Sequence, residues 1–165
     1  MTQRNGTEIT KAGREDLPVL AETLFASKIG RKYYPTLETL LTLMERSFDD
    51  DQFYILYDHT EMAGFIWFQT KGAFHTFTYL HMIYVKKEYR QKGYGKTLLE
   101  FLEKAALCPE GKNKLQSKIF LVVGEWNQSA IQFYTNEGYI TLSTIPGLFR
   151  KKIDEHLMMK ECFRA

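Results

Sequence analysis

The amino-acid sequence predicts an α/β fold, a mixed β-sheet carrying helices on both faces. Three observations predict it. Segments of strand periodicity alternate with segments of helical periodicity along the 165 residues. The stretch 76–85 is apolar on both of its alternating faces, as expected of a strand covered on both sides. Neither an internal repeat nor a linker divides the chain, so a single domain over 1–165 is expected, with a flexible lead at residues 1–6.

Taken in order, residues 8–12 read as a short first strand. From Asp16, the positions Leu17, Leu20, Leu24 and Phe25 recur at helical spacing, and Gly30 is the expected stop. A second helix starts near Leu37, with Leu40, Leu41, Met44 and Phe48 along one face. Residues 53–57 and 62–69 are rich in aromatic and branched side chains. They flank the polar Asp58-His59-Thr60-Glu61, the pattern of a hairpin. In the strand at 76–85, Phe77, Tyr79, His81, Ile83 and Val85 point one way, and Leu80, Met82 and Tyr84 the other. A basic, glycine-containing turn follows, then a helix near Gly95 whose buried stripe is Leu98, Leu99, Leu102 and Ala105. Residues 109–114 are a loop, 119–123 a short buried strand, and 129–137 a short helix capped by Gly138. Strands at 139–143 and 156–160 close the domain. The predicted order is β-α-α-β-β-β-α-β-α-β-β.

Composition narrows the function classes. A hydrophobic share of 44% with 15% aromatics predicts a packed globule rather than disorder. A net charge of +2 is too near balance to predict a nucleic-acid partner. The first residues lack an apolar h-region, and apolar runs such as 62–68 are too short to cross a bilayer, so no membrane partner is expected. Cys108 and Cys162 have no metal-ligand spacing and make no disulfide framework. The expected setting is cytoplasmic, without a metal.

Chemistry concentrates in residues 85–99. A buried strand ends at Val85, the chain turns through Gly93 and Gly95, and an amphipathic helix starts at once. Glycines let the backbone approach a ligand and adopt positive φ, and the first amides of the helix converge on one point. That point attracts phosphate, and the helix dipole adds to the attraction. Lys86, Lys87, Arg90, Lys92 and Lys96 surround it with positive charge. Two nucleotide motifs fail on named residues. A P-loop needs glycine where Arg90 stands, and a dinucleotide fingerprint needs a third glycine where Leu98 stands. The bland alternative is an ordinary strand–helix turn with a solvated basic loop.

Arg90-x-x-Gly93-x-Gly95 after a strand ending in Val85 resembles the coenzyme A pyrophosphate loop of GCN5-related N-acetyltransferases (GNAT). A second block of that family is matched by Asn127, Ala130, Phe133-Tyr134 and Gly138-Tyr139, so the resemblance covers residues 79–139. It implies a GNAT-like fold with a splayed central sheet and acetyl-CoA as co-substrate. It further implies that backbone groups at Ile83, Tyr84 and Val85 pair with the pantetheine arm. The amides of Gln91, Lys92, Gly93, Tyr94, Gly95 and Lys96, with Arg90 beside them, would take the pyrophosphate. Asn127 would orient the coenzyme arm.

Acetyl transfer needs a neutral amine, a stabilised oxyanion and a proton for the departing thiolate. The resemblance implies that Tyr134 lies near the coenzyme sulfur and donates that proton; the alternative is a core tyrosine beside Ala130 and Ile131. The backbone N–H near Ile83 is the implied oxyanion donor. His81, on the face of Tyr79 and Ile83, is one candidate base and Glu125 the other; a hydrogen-bonded core histidine is the competing reading of His81. His59, His75 and His156 are expected to be structural or exposed. The family builds its acceptor site from its first helices and last hairpin, here Tyr33, Tyr34, Glu38, Phe149, Arg150 and Lys151. The tail resembles that of members that acetylate protein N-termini, yet Leu148-Phe149 replaces their paired tyrosines and Val122 stands where they carry an acidic base. Either a small-molecule amine or a peptide N-terminus is therefore an expected acceptor, for a monomer or a homodimer. A non-catalytic acyl-CoA sensor, transfer to a hydroxyl and use of a longer acyl group are the competing readings.

Overall fold

The computed structural model describes residues 6–165, so the lead expected at 1–6 lies outside the described residues except for Gly6. The chain runs β1 (Thr7–Lys11), α1 (Leu17–Phe25), α2 (Lys28–Tyr33), α3 (Leu37–Ser47), β2 (Gln52–Asp58), β3 (Glu61–Ala73), β4 (Phe77–Val85), α4 (Tyr94–Leu107), β5 (Gln116–Gly124), α5 (Gln128–Asn136), β6 (Ile140–Arg150) and β7 (Ile153–Phe163). Single 3-10 turns lie at Arg14–Asp16, Lys87–Tyr89 and Pro109–Gly111. The strands form a seven-stranded mixed sheet in the order β1-β2-β3-β4-β5-β7-β6. The pair β4 and β5 is parallel, through Thr78–Ile119, Tyr79–Phe120 and Leu80–Leu121, and the pairs β1–β2, β2–β3, β5–β7 and β6–β7 are antiparallel. The α/β class and the mixed sheet are as the sequence predicts.

The predicted order needs one correction, because three helices rather than two separate β1 from β2. Gly30 does not stop α1. It lies buried inside α2, where a Cβ would collide with the Leu24 carbonyl. α1 ends at Ala26, whose N–H donates to Glu22 O at 3.0 Å, and Ser27 then caps α2 by accepting from Gly30 N at 3.1 Å. Thr36 caps α3 in the same way through Thr39 N at 3.1 Å. Gly30 thus serves close packing of one helix against the end of another. Replacing it with alanine is expected to cost about 1–3 kcal/mol of stability through overpacking, read as a lower midpoint in chemical denaturation; an unchanged midpoint would remove that role.

The chain divides into two compact units. The first holds the described residues up to Phe68 together with Met82–Leu98; the second holds Gln69–His81 and Leu99–Ala165. β3, β4 and α4 each pass from one unit to the other, β4 between His81 and Met82. The first unit is centred on Leu17, Leu20, Leu24, Leu40, Met44, Phe53, Ile55, Phe65 and Trp67. The buried Trp67 indole donates to Asp51 Oδ2 at 2.7 Å, which gives the buried carboxylate a partner.

In the second unit Leu80, Leu99, Leu102, Ala106, Ile119, Leu121, Tyr139 and Met158 are buried. The inner stripe of α4 ends on Ala106 rather than Ala105, four residues after Leu102. β6 and β7 run far beyond their predicted ends, because Pro146-Gly147 is absorbed as a bulge instead of breaking the strand. The register shifts between Ile145 and Arg150, and Gly147 takes φ 57° with its N–H donating to Asp154 Oδ1 at 3.3 Å. β4 also departs from expectation. Thr78 and Leu80 are buried, His81 is exposed, and the rest are half-buried, so the strand is not covered on both faces throughout. Both cysteines are free thiols, Cys108 exposed and Cys162 buried. Among the described residues no helix is long and apolar enough to cross a membrane.

Candidate active site

The glycine turn lies in the first unit. After Val85, Lys86 N–H donates to Ala63 O at 2.8 Å, holding the start of the turn on β3. Arg90 is exposed and bonds back to the strand end: its Nε–H donates to Val85 O at 3.0 Å, and its guanidinium lies 5.9 Å from the centre of the Tyr84 ring. Gln91 adopts φ 63° and Gly93 φ 81°, two left-handed residues that reverse the chain. Space around Gly93 is open, with nothing within 4 Å of where a Cβ would sit.

The helix α4 begins at Tyr94, and its first internal bond is Thr97 N to Gly93 O at 3.0 Å, reinforced by Thr97 Oγ1 on the same carbonyl at 3.1 Å. The amides of Tyr94, Gly95 and Lys96 therefore have no acceptor within the helix. Gln91, Lys92, Gly93 and Lys96 are exposed. Tyr94 is half-buried, and its phenol is raised, by desolvation first and by the neighbouring Asp58 carboxylate after it. Lys92 hovers 3.9 Å from Asp58 Oδ2 and 5.2 Å over the Tyr89 ring. Exposed residues, positive charge and room for close approach together give this turn the features that suit an anion.

The other predicted residues lie in the second unit, except Ile83, Tyr84 and Val85, which end β4 in the first. Asn127 is the N-cap of α5: its Oδ1 accepts from Ala130 N at 3.3 Å and from Ser129 Oγ at 3.2 Å. Tyr134 stands on α5, its ring 5.3 Å from Phe133 and 5.6 Å, edge to face, from Tyr139. Burial, and secondarily the neighbouring Tyr79, push its phenol above the ordinary range, so it is fully protonated near neutrality. His81 is exposed, with its ring edge-on to Tyr79 at 4.8 Å, which excludes the buried core histidine. Glu125 is exposed at the end of β5, its N–H donating to Asp154 O at 2.9 Å.

The remaining candidates are spread between the units. Tyr33, Tyr34 and Glu38 lie in the first, where burial raises the Tyr34 phenol; Phe149, Arg150 and Lys151 lie at the tip of the β6–β7 hairpin in the second. His59 and His75 are exposed turn residues, each at φ 55°, and His156 Nδ1 sits 3.0 Å from Thr144 Oγ1. Among the described residues no group of three or more His, Cys, Asp or Glu side chains could hold a metal ion.

The model of the acetyltransferase (GNAT) family matches residues 21–139, well over half of the chain and the whole span of the two motifs. The chain belongs to that family. This GNAT chain is an acetyl-CoA-dependent N-acyltransferase. It is 26% identical over 157 residues to an uncharacterised N-acetyltransferase from the pepI 3' region of Lactobacillus delbrueckii subsp. lactis, covering 84% of this chain and 87% of the relative. Two solved structures share its fold. A GNAT-family acetyltransferase from Bacillus cereus superposes with a TM-score of 0.71 at 21% identity, over 96% of this chain and 99% of its own. The spermidine N-acetyltransferase of Vibrio cholerae, solved with CoA and spermine, gives a TM-score of 0.71 at 15% identity, over 96% of each chain.

Sequence reasoning passed over two glycines of this GNAT chain. A Cβ at Gly64 would collide with the Tyr84 carbonyl, and one at Gly72 would lie 2.8 Å from the Cβ of Tyr79. Both let the β3 backbone close on β4 residues of the candidate site. An isolated glycine inside a strand pattern is the signal that could have found them.

Proposed function

We propose that this chain works as a single N-acetyltransferase domain that moves an acetyl group from acetyl-CoA to a primary amine by direct attack in a ternary complex. The observation that carries the reading is the turn at residues 90–96, where two left-handed residues precede a helix start whose first three amides have no acceptor within the helix. Acetyl-CoA supplies the acyl carbonyl and the thiol leaving group. Amides of residues 91–96 hold its diphosphate, and Arg90 shapes the turn through the Val85 carbonyl. Backbone groups of Ile83, Tyr84 and Val85 pair with the peptide-like arm. The parallel pairing of β4 with β5 runs through Thr78, Tyr79 and Leu80, which supports a strand that parts from its neighbour beyond Leu80.

Asn127 orients the arm with its amide NH2, since its carbonyl oxygen serves as a cap. His81 takes the proton from the attacking amine, with Glu125 as the other candidate base, and the Ile83 amide faces the developing oxyanion. Tyr134 protonates the leaving sulfur. A small amine is favoured over a peptide N-terminus, because the fold is one on which CoA and spermine have been seen together. Acetyl-CoA should bind the purified protein in calorimetry, and thiol should be released with at least one amine from a panel of polyamines, amino acids, aminoglycosides and peptides. No association with CoA or acetyl-CoA would sink the reading. Binding without thiol release from any acceptor would point instead to a coenzyme-binding module.

A further inference from the structure

We propose that Lys160 is a positioning residue for the proposed acid: paired with Glu103, it clamps Tyr139, and Tyr139 in turn fixes the ring and the helix end of Tyr134. The inference rests on the role proposed above for Tyr134. All four residues lie in the second unit. Lys160 stands on β7 opposite Ile119 of β5, so the sheet fixes its backbone. Its Nζ–H donates to Glu103 Oε1 on α4 at 2.6 Å, and the two side chains are only 24% and 25% exposed. A charge-assisted bond of that length, largely withdrawn from water, holds its partners more firmly than an exposed ion pair does.

The same ammonium lies 5.8 Å from the centre of the Tyr139 ring, within the range of a cation–π contact. Its stem passes the turn just before that ring, with Lys160 Cε 3.4 Å from where a Cβ on Gly138 would sit. Gly138 takes φ 92°, the left-handed conformation that closes α5. Tyr139 gives such a clamp something to do. It is 1% exposed, and its buried hydroxyl has no hydrogen-bond partner among the described residues, so no hydrogen bond orients the ring. Tyr139 then meets Tyr134 twice. Its N–H donates to the Tyr134 carbonyl at 3.0 Å, beside the Glu137 N–H on the same oxygen at 3.1 Å. The two rings pack at 5.6 Å with 65° between their planes. A proton donor acts only within hydrogen-bond reach of the atom it serves, and a displacement of about 1 Å can cost on the order of 10²-fold in rate. Contacts that hold the Tyr134 ring in place therefore bear on turnover while touching neither substrate.

The test compares two variants of the full chain: Lys160→Met, which keeps the stem and removes the charge, and Lys160→Arg, which keeps both. Lys160→Met should lower kcat roughly tenfold with KM for acetyl-CoA unchanged, and Lys160→Arg should keep most of the wild-type rate. Combined with Tyr134→Phe, Lys160→Met should add little to the loss from Tyr134→Phe alone. A folded Lys160→Met enzyme with wild-type kcat, or losses that multiply in the double variant, would overturn the clamp. If Lys160→Met does not fold, Glu103→Gln weakens the same pair and carries the same expectations. The free protein gives a reading that needs no turnover, by NMR of ring-labelled tyrosine. Freeing Tyr139 should move the Tyr134 ring resonances in Lys160→Met; resonances that stay in place mean that the clamp does not reach Tyr134. A Tyr134→Phe enzyme with unchanged turnover would instead remove the acid itself, a failure that the NMR reading keeps distinct.

Discussion

Tyr134→Phe is expected to cut turnover by about 10²–10⁴-fold, the usual range for a lost general acid, while acetyl-CoA affinity hardly changes. The substitution removes one oxygen and keeps the ring that packs on Phe133 at 5.3 Å and Tyr139 at 5.6 Å, so helix α5 should stay in place. Burial first, and Tyr79 second, raise the phenol of Tyr134. The sign follows directly. A raised value keeps the proton on the oxygen at every pH below the ordinary phenol value of about 10, so activity that depends on this proton should persist to alkaline pH. Steady-state thiol release across pH measures both effects, and turnover equal to wild type over the whole range removes Tyr134 from the mechanism.

The second large effect is expected at Gly93. A valine there has room, because nothing lies within 4 Å of its Cβ position, but it must sit at φ 81°. Left-handed backbone costs a residue with a side chain roughly 1–2 kcal/mol, and more when that residue is β-branched. Since about 1.4 kcal/mol is tenfold in an equilibrium, Gly93→Val should weaken acetyl-CoA binding by about tenfold or more. In the free protein the exposed turn relaxes to relieve that strain, so thermal stability should change little, and binding must restore the left-handed conformation. Calorimetry and a melting curve on one preparation separate the two. Wild-type affinity in a folded Gly93→Val protein would mean that the turn does not hold the diphosphate.

The features that sequence made legible are those whose cause is local. The turn at residues 90–96 could be read because positive φ and unused amides follow from glycine and from a helix start, whatever surrounds them. The hairpin around His59 and the buried stripe of α4 follow from periodicity in the same way. The misread features depend on neighbours distant in the chain. Gly30 looks like a stop until the Leu24 carbonyl is known to press against it. Pro146-Gly147 looks like a loop until Asp154 on β7 supplies a carboxylate for the Gly147 amide and the strand runs on as a bulge. Alternation puts His81 on the same face of β4 as Tyr79, where their rings meet, but its exposure depends on what packs there, and a strand pattern does not encode that.

The double duty of Asn127 has an outcome of its own. Its oxygen seals the first turn of the helix on which Tyr134 rides, seven residues further on, so the proposed grip on the donor and the proposed aim of the proton share one side chain. An alanine at 127 would unfasten the helix start as well as any hold on pantetheine, and a fall in rate there could not be credited to lost affinity alone. A serine, able to fasten the start without offering an amide NH2, would separate the two duties.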